Sequence, residues 1–159
     1  MARKLKQAQD MTRTPKYSRI PTPAELEAFN GMHCSALYRD AFRTGWRCPS
    51  CERSAHQLVR WTYIGGKSWR ERYGDEHGMG FSISMTRHHC HGDGRFPETL
   101  ICGDCNSADG AAKRKLGLPS YWSFTPAELG RIVQVAPHSG ATSIDYDEAL
   151  RIYRAAEWP

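Results

Sequence analysis

The chain has 159 residues, 40% of them hydrophobic and 25% charged, a balance that suits one globular domain with a modest core. No apolar run approaches the roughly 20 residues of a membrane-crossing helix, which argues against a membrane partner. The net charge is +5, and Arg3, Lys4, Lys6, Arg13, Lys16 and Arg19 against Asp10 account for all of it.

Residues 1–19 therefore read as a flexible basic arm, able to add salt-dependent, sequence-independent affinity for phosphates. A tail that only aids solubility is the plainer alternative. Residues 20–159 read as a single domain. In its helical lead-in, 20–47, Thr22-Pro23-Ala24-Glu25 is a helix start, with Thr as N-cap, Pro at the first helical position and Glu closing a capping box. That helix is expected to end near Asn30-Gly31. A second is expected over 32–43, packing through Leu37, Tyr38, Ala41 and Phe42, and Gly45 breaks it.

Cys48-Pro49-Ser50-Cys51 and Cys102-Gly103-Asp104-Cys105 are two C-x-x-C knuckles. Together they supply four thiolates, enough to close a tetrahedral structural Zn²⁺ site with no position left for water. The 50 residues between them exceed the spacing of a plain zinc ribbon, so a segment must loop out. A redox C-x-x-C or two disulfides are the alternatives. No thioredoxin-like pattern flanks either knuckle, and no signal-peptide pattern opens the sequence, so we expect a reducing, cytoplasmic setting. Cys34 and Cys90 read as small packed residues rather than ligands.

The looped-out segment, 55–80, begins with Val59, Trp61 and Tyr63 alternating with Arg60 and Thr62, a strand signal that stops at Gly65-Gly66. Cations then interleave with aromatics. Arg60, Lys67, Trp69, Arg70 and Arg72 are the candidates for reading DNA, since Arg can clamp phosphate or read guanine while aromatics stack or wedge. A satellite core around Trp61 and Trp69 is the competing account. Phe81, Ile83 and Met85 resume the alternation, predicting one strand that leads into the histidines.

His88, His89 and His91 crowd three imidazoles into four positions. Such a cluster can hold a metal, take a proton or do both; a satisfied structural cluster is the alternative. Gly92-Asp93-Gly94 would turn the chain back, with Asp93 more plausibly turn chemistry than a ligand. Leu100 and Ile101 would return, and Asn106 would open a helix running to Leu116, with Gly117 as C-cap and Pro119 as stop. Lys113, Arg114 and Lys115 suit the negative end of that helix and are placed to touch the DNA backbone. In the C-terminal part, 119–159, Thr125-Pro126-Ala127-Glu128 opens a helix expected to reach Val135. Asp145 with Glu148 opens the last one, and both helices are expected to pack back on the core.

The order of these motifs, C-x-x-C, then His88-His89-Cys90-His91, then Leu100-Ile101-Cys102-Gly103-Asp104-Cys105-Asn106-Ser107-Ala108-Asp109-Gly110, resembles the HNH, or ββα-metal, endonucleases, closest to the recombination endonuclease VII branch. The match covers 48–51 and 87–116, about a quarter of the chain. It implies an α+β fold, a small zinc-stapled ββα-metal finger over 48–118 with flanking N- and C-terminal helices.

Carried over by position, the resemblance implies that His88 and Asn106 bind a catalytic divalent ion, that His89 is the general base, and that His91 contacts the scissile phosphate. His88 stands where the family usually has Asp. A neutral imidazole offers a hard Mg²⁺ less negative charge, so Mn²⁺, Co²⁺ or Ni²⁺ should suit the site comparatively well. The implied function is hydrolysis of DNA phosphodiesters. The inserted segment favours a sequence-reading, restriction- or homing-like enzyme on duplex DNA, whereas the endonuclease VII likeness favours a structure-selective junction resolvase. Cutting both strands at a short site would call for a homodimer, since one finger carries one active site. A non-catalytic zinc-ribbon DNA-binding module would keep the four cysteines but have no use for His89 and Asn106.

Overall fold

The computed structural model describes residues 19–29, 36–63, 71–72, 79–92 and 94–156, a mixture of helices and short antiparallel strands. The expected contributions of Lys67, Trp69 and Arg70, of Asp93, of Cys34 and of the arm before Arg19 lie outside the described residues.

α1 (Pro23–Ala28) starts as its sequence predicts. The Thr22 hydroxyl accepts from the Glu25 amide, and the Glu25 carboxylate accepts from the Thr22 amide. Arg19 does not behave as part of a free arm. Its guanidinium forks onto the Glu25 carboxylate at 2.6 and 2.7 Å, and its backbone bridges Trp61. That guanidinium holds the Glu25 carboxyl down at about 2. α2 (Ala36–Arg43) turns Tyr38 and Ala41 inward onto Ala55 and Val59, and Gly45, with φ of +67°, takes the left-handed conformation that ends it.

β1 (Arg60–Tyr63) pairs antiparallel with β2 (Met79–Ser82), matching Trp61 with Phe81. This corrects the expectation of one strand through Phe81 and Met85. The chain leaves the first hairpin at Ser82, and Ile83 and Ser84 form a link in which the Ser84 carbonyl accepts the Gly103 amide. It then enters β3 (Met85–His88), which pairs with β4 (Thr99–Cys102). Alternation alone could not show that Phe81 belongs against Trp61, ring centroids 5.0 Å apart, while Met85 belongs opposite Cys102.

α3 (Gly103–Leu116) follows β4 without a loop, so hairpin and helix form a continuous strand, strand, helix unit. It begins three residues before the expected start, with Cys102 as N-cap, and Gly117 closes it at φ +66°. α4 (Pro126–Ile132) carries a second capping box, between Thr125 and Glu128. It stops short of the expected Val135, because Val133–Val135 is strand β5, paired with β6 (Thr142–Ile144). These β-branched positions meet a partner strand instead of continuing the helix. The C-terminal part is thus two helices with a hairpin between them. α5 (Tyr146–Ala155), capped by Asp145, packs on α3 and α4.

The main core joins these pieces. Ile101, Cys102, Cys105, Ala108 and Ala112 meet Trp122, Phe124, Leu129, Ile132 and Ala149, all at most 2% exposed. Trp122 and Phe124 meet edge to face at 4.4 Å, and Trp122 meets Tyr153 at 5.1 Å. Fully burying side chains of this size contributes roughly 1.5–3 kcal/mol each. Trp122 and Phe124, which had no assigned role in the sequence reading, therefore supply the centre of the molecule.

Candidate metal centres and histidine cluster

The two knuckles are brought together. The Sγ atoms of Cys48, Cys51, Cys102 and Cys105 all lie within 4.8 Å of one another, with Cys48 and Cys105 4.0 Å apart and Cys51 and Cys102 3.7 Å apart. A tetrahedral Zn²⁺ with ~2.3 Å bonds sets its sulfurs about 3.8 Å apart, so the donor set fits a four-coordinate metal ion. Backbone geometry shapes the site. Glu52, at φ 59°, turns the first knuckle, while the amides of Cys102 and Cys105 donate to the sulfurs of Cys48 and Cys102, each at 3.4 Å. Hydrogen bonding from the Cys102 thiol, with help from Cys105, holds the Cys48 thiol down at about 6, whereas contact with Cys102 and the other sulfurs pushes Cys105 up. Four crowded thiols cannot all ionise without a cation between them.

Cys90 stands apart, buried just beyond β3 with its thiol donating to the Tyr121 carbonyl at 3.2 Å. None of the described cysteines is in a disulfide.

His88 ends β3, and Asn106 lies on the first turn of α3, where the hairpin brings them together. His88 is 2% exposed and stacks on Phe96, centroids 5.1 Å apart. Its Nε2 lies 2.7 Å from the Phe124 carbonyl oxygen, and its Nδ1 lies 3.1 Å from Asn106 Oδ1. A carbonyl only accepts, so Nε2 carries a proton, and in that tautomer Nδ1 holds a lone pair. Two acceptors then face one another. That conflict is resolved by a proton, by a turned amide or by a cation, and two ligands at right angles on an ion with ~2.1 Å bonds stand about 3.0 Å apart. The His88–Asn106 separation equals that of two such ligands, and the Phe124 carbonyl fixes the His88 tautomer.

The Phe124 peptide is itself held. Its amide donates to Asp109 Oδ1 at 2.9 Å, and Lys113 Nζ lies 2.7 Å from Asp109 Oδ2. Lys113 also donates to the Trp122 carbonyl and the Ser123 hydroxyl. Lys113 was expected at the DNA backbone; with its side chain 14% exposed, it is instead engaged inside the fold. Arg60, also a candidate for DNA contact, pairs with Asp104 at 3.1 Å and is 17% exposed. Arg114, Lys115 and Arg72 are exposed.

His89 and His91 sit at the solvent-facing start of the β3–β4 loop, rings edge to face at 4.5 Å. The His89 side chain is 46% exposed, with Nδ1 3.3 Å from the Arg87 carbonyl oxygen and 3.9 Å from Glu98. A proton on Nδ1 shared with that carbonyl leaves Nε2 free to accept one. Glu98 also binds Arg87 at 2.9 Å.

Sequence reasoning missed Glu98, Phe96, Asp109 and Phe124. It also missed Arg53, which is 3% exposed and lies against the four-cysteine cluster. Of these, only Arg53 carried a signal, as a charged residue beside a knuckle; its partner Asp104 lies within the other. No family model, curated protein or solved structure matches this chain.

Proposed function

We propose that this chain is a metal-dependent DNA endonuclease of the HNH kind, with a structural Zn²⁺ on Cys48, Cys51, Cys102 and Cys105. One observation carries the reading. His88 Nδ1 and Asn106 Oδ1 lie 3.1 Å apart at the junction of a strand pair and a helix, beside two solvent-facing imidazoles. Those are the positions at which the sequence pattern resembles the family.

Phosphodiester hydrolysis needs a base for water, charge stabilisation at phosphorus and a positioned phosphate. His88 and Asn106 would hold a divalent ion, Mg²⁺ or Mn²⁺ with Co²⁺ or Ni²⁺ also suited, which would neutralise charge on the phosphate. His89 takes the proton from the attacking water through Nε2, oriented by the Arg87 carbonyl and with Glu98 nearby to favour the imidazolium that results. His91, against the His89 ring, contacts the phosphate. Arg114 and Lys115 add backbone contacts.

The inserted segment with its Arg and Trp residues favours sequence reading on duplex DNA, and cutting both strands would use a homodimer. A second reading is a DNA-binding module without activity, favoured by the burial of His88 with both ring nitrogens bonded inside the fold.

The test is incubation with linear duplex, supercoiled plasmid and a four-way junction in Mg²⁺, Mn²⁺, Co²⁺ or EDTA. Discrete metal-dependent fragments from linear duplex are expected. Cutting confined to the junction would make the enzyme a resolvase, and DNA binding without cleavage in any metal would favour the module.

A further inference from the structure

Arg53 directly follows the first knuckle and is 3% exposed. All five of its N–H groups have partners. Nε donates to Cys51 Sγ at 3.3 Å, and Nη2 donates to Cys102 Sγ at 3.3 Å and to Asp104 Oδ2 at 2.7 Å. Nη1 donates to the carbonyls of Ala136 and Ser139, at 3.3 and 3.1 Å, in the turn between β5 and β6. Asp104 is fixed from its other side by Arg60.

A Zn²⁺ held by four thiolates carries a net charge of about −2, costly to bury without a counter-charge. The guanidinium supplies one positive charge and two directed N–H···S contacts; a lysine ammonium has only three donors and no planar fork.

The two sulfurs it touches come from different knuckles, and one of them is the vulnerable corner. Cys48, Cys102 and Cys105 are fully buried, whereas Cys51 is half-buried and lines a groove of about 620 Å³ between the first knuckle and the α4–β5 segment. An electrophile or competing chelator can reach Cys51 first.

We propose that Arg53 is the charge partner of the four-cysteine metal site, offsetting the negative charge on the Cys51 and Cys102 sulfurs so that bound zinc is tight and the half-buried Cys51 corner is unreactive. The proposal rests on the four-thiolate zinc reading and not on nuclease activity. Arg53 acts through the sulfurs and touches no metal.

The test uses the full chain, loaded with Zn²⁺ or with Co²⁺, as wild type, Arg53→Met and Arg53→Lys. Zinc affinity is read by chelator competition, and the sulfur-to-metal charge-transfer band is read in the Co²⁺ protein. Alkylation by iodoacetamide is mapped by peptide mass spectrometry. Arg53→Met should bind zinc about 10- to 100-fold more weakly. Its Co²⁺ band should shift, and its alkylation should be faster and begin at Cys51. A folded Arg53→Met with unchanged affinity, band and alkylation overturns the proposal, because a purely structural arginine would leave the band where it was. If Arg53→Met does not fold with zinc present, Arg53→Lys decides: a shifted band supports the role, and a band identical to wild type overturns it. A wild-type chain that binds neither ion overturns the four-thiolate reading itself.

Discussion

Asp109 shows how much of the site depends on groups that touch no ligand. At 4% exposure it accepts the Phe124 amide and pairs with Lys113, and the Phe124 carbonyl in turn takes the proton of His88 Nε2. Asp109→Ala would leave the Lys113 ammonium without its carboxylate in a largely buried place. We expect it to cost about 3–5 kcal/mol in urea unfolding of the zinc-loaded protein. Unchanged stability would show that the network carries no weight. The meeting of His88 with Asn106 was legible because the spacing of the histidines beside a knuckle is distinctive. Asp109 and Phe124 were not, since their work passes through a backbone amide and carbonyl that any residue has. Lys113 pairs with Asp109 one turn before it, whereas in the sequence it stood out only as one of three cations at a helix end, a pattern that also suits a phosphate contact.

Among the elements, α4 links its own cap to the histidine loop. Glu128 closes the Thr125 capping box and takes two hydrogen bonds from Arg95, whose guanidinium lies 4.8 Å from the centre of the Trp122 ring. Burial alone would raise the Glu128 pKa, yet the Arg95 bonds outweigh it and hold it below 4.5. A depressed folded pKa means that this stabilisation is complete above the unfolded pKa and is lost as pH falls through the folded one. The stability gap between wild type and Glu128→Gln should therefore be constant near neutrality and narrow below pH 4.5; a gap that widens in acid would contradict the pairing. Thr125→Ala, which removes the hydroxyl half of the cap, should cost about 1 kcal/mol in the same assay. The starts of α1, α4 and α5 were well predicted because their caps are local chemistry. The switch from β2 to β3 and the β5–β6 hairpin were not, because strand partners are chosen by contacts distant in the chain.

At the scale of the whole molecule, two knuckles 50 residues apart meet in the core, and three of the four sulfurs are fully buried there. Such a centre forms only if a cation offsets the thiolates, so metal binding and folding should be one process. Removing zinc with a strong chelator under reducing conditions should abolish the cooperative thermal transition, and re-adding Zn²⁺ should restore it. A metal-free chain that melts as sharply and as high would refute the coupling. The gathering of the knuckles was legible from spacing, and so was the packing of the C-terminal helices on the core; the central place of Trp122 and Phe124 was not, because they sit in a segment with no periodic pattern. Among the described residues, no helix is long and apolar enough to cross a membrane.

Cleavage of linear duplex DNA in Mn²⁺ by zinc-loaded wild type and His89→Ala, side by side, tests the central claim most directly. His89 is solvent-facing and outside the core, so its removal should leave folding and zinc content intact. A positioned base contributes about 10²- to 10⁴-fold, and cleavage should fall by that much while DNA binding persists. A His89→Ala protein that folds, holds zinc and cuts at the wild-type rate would contradict the account.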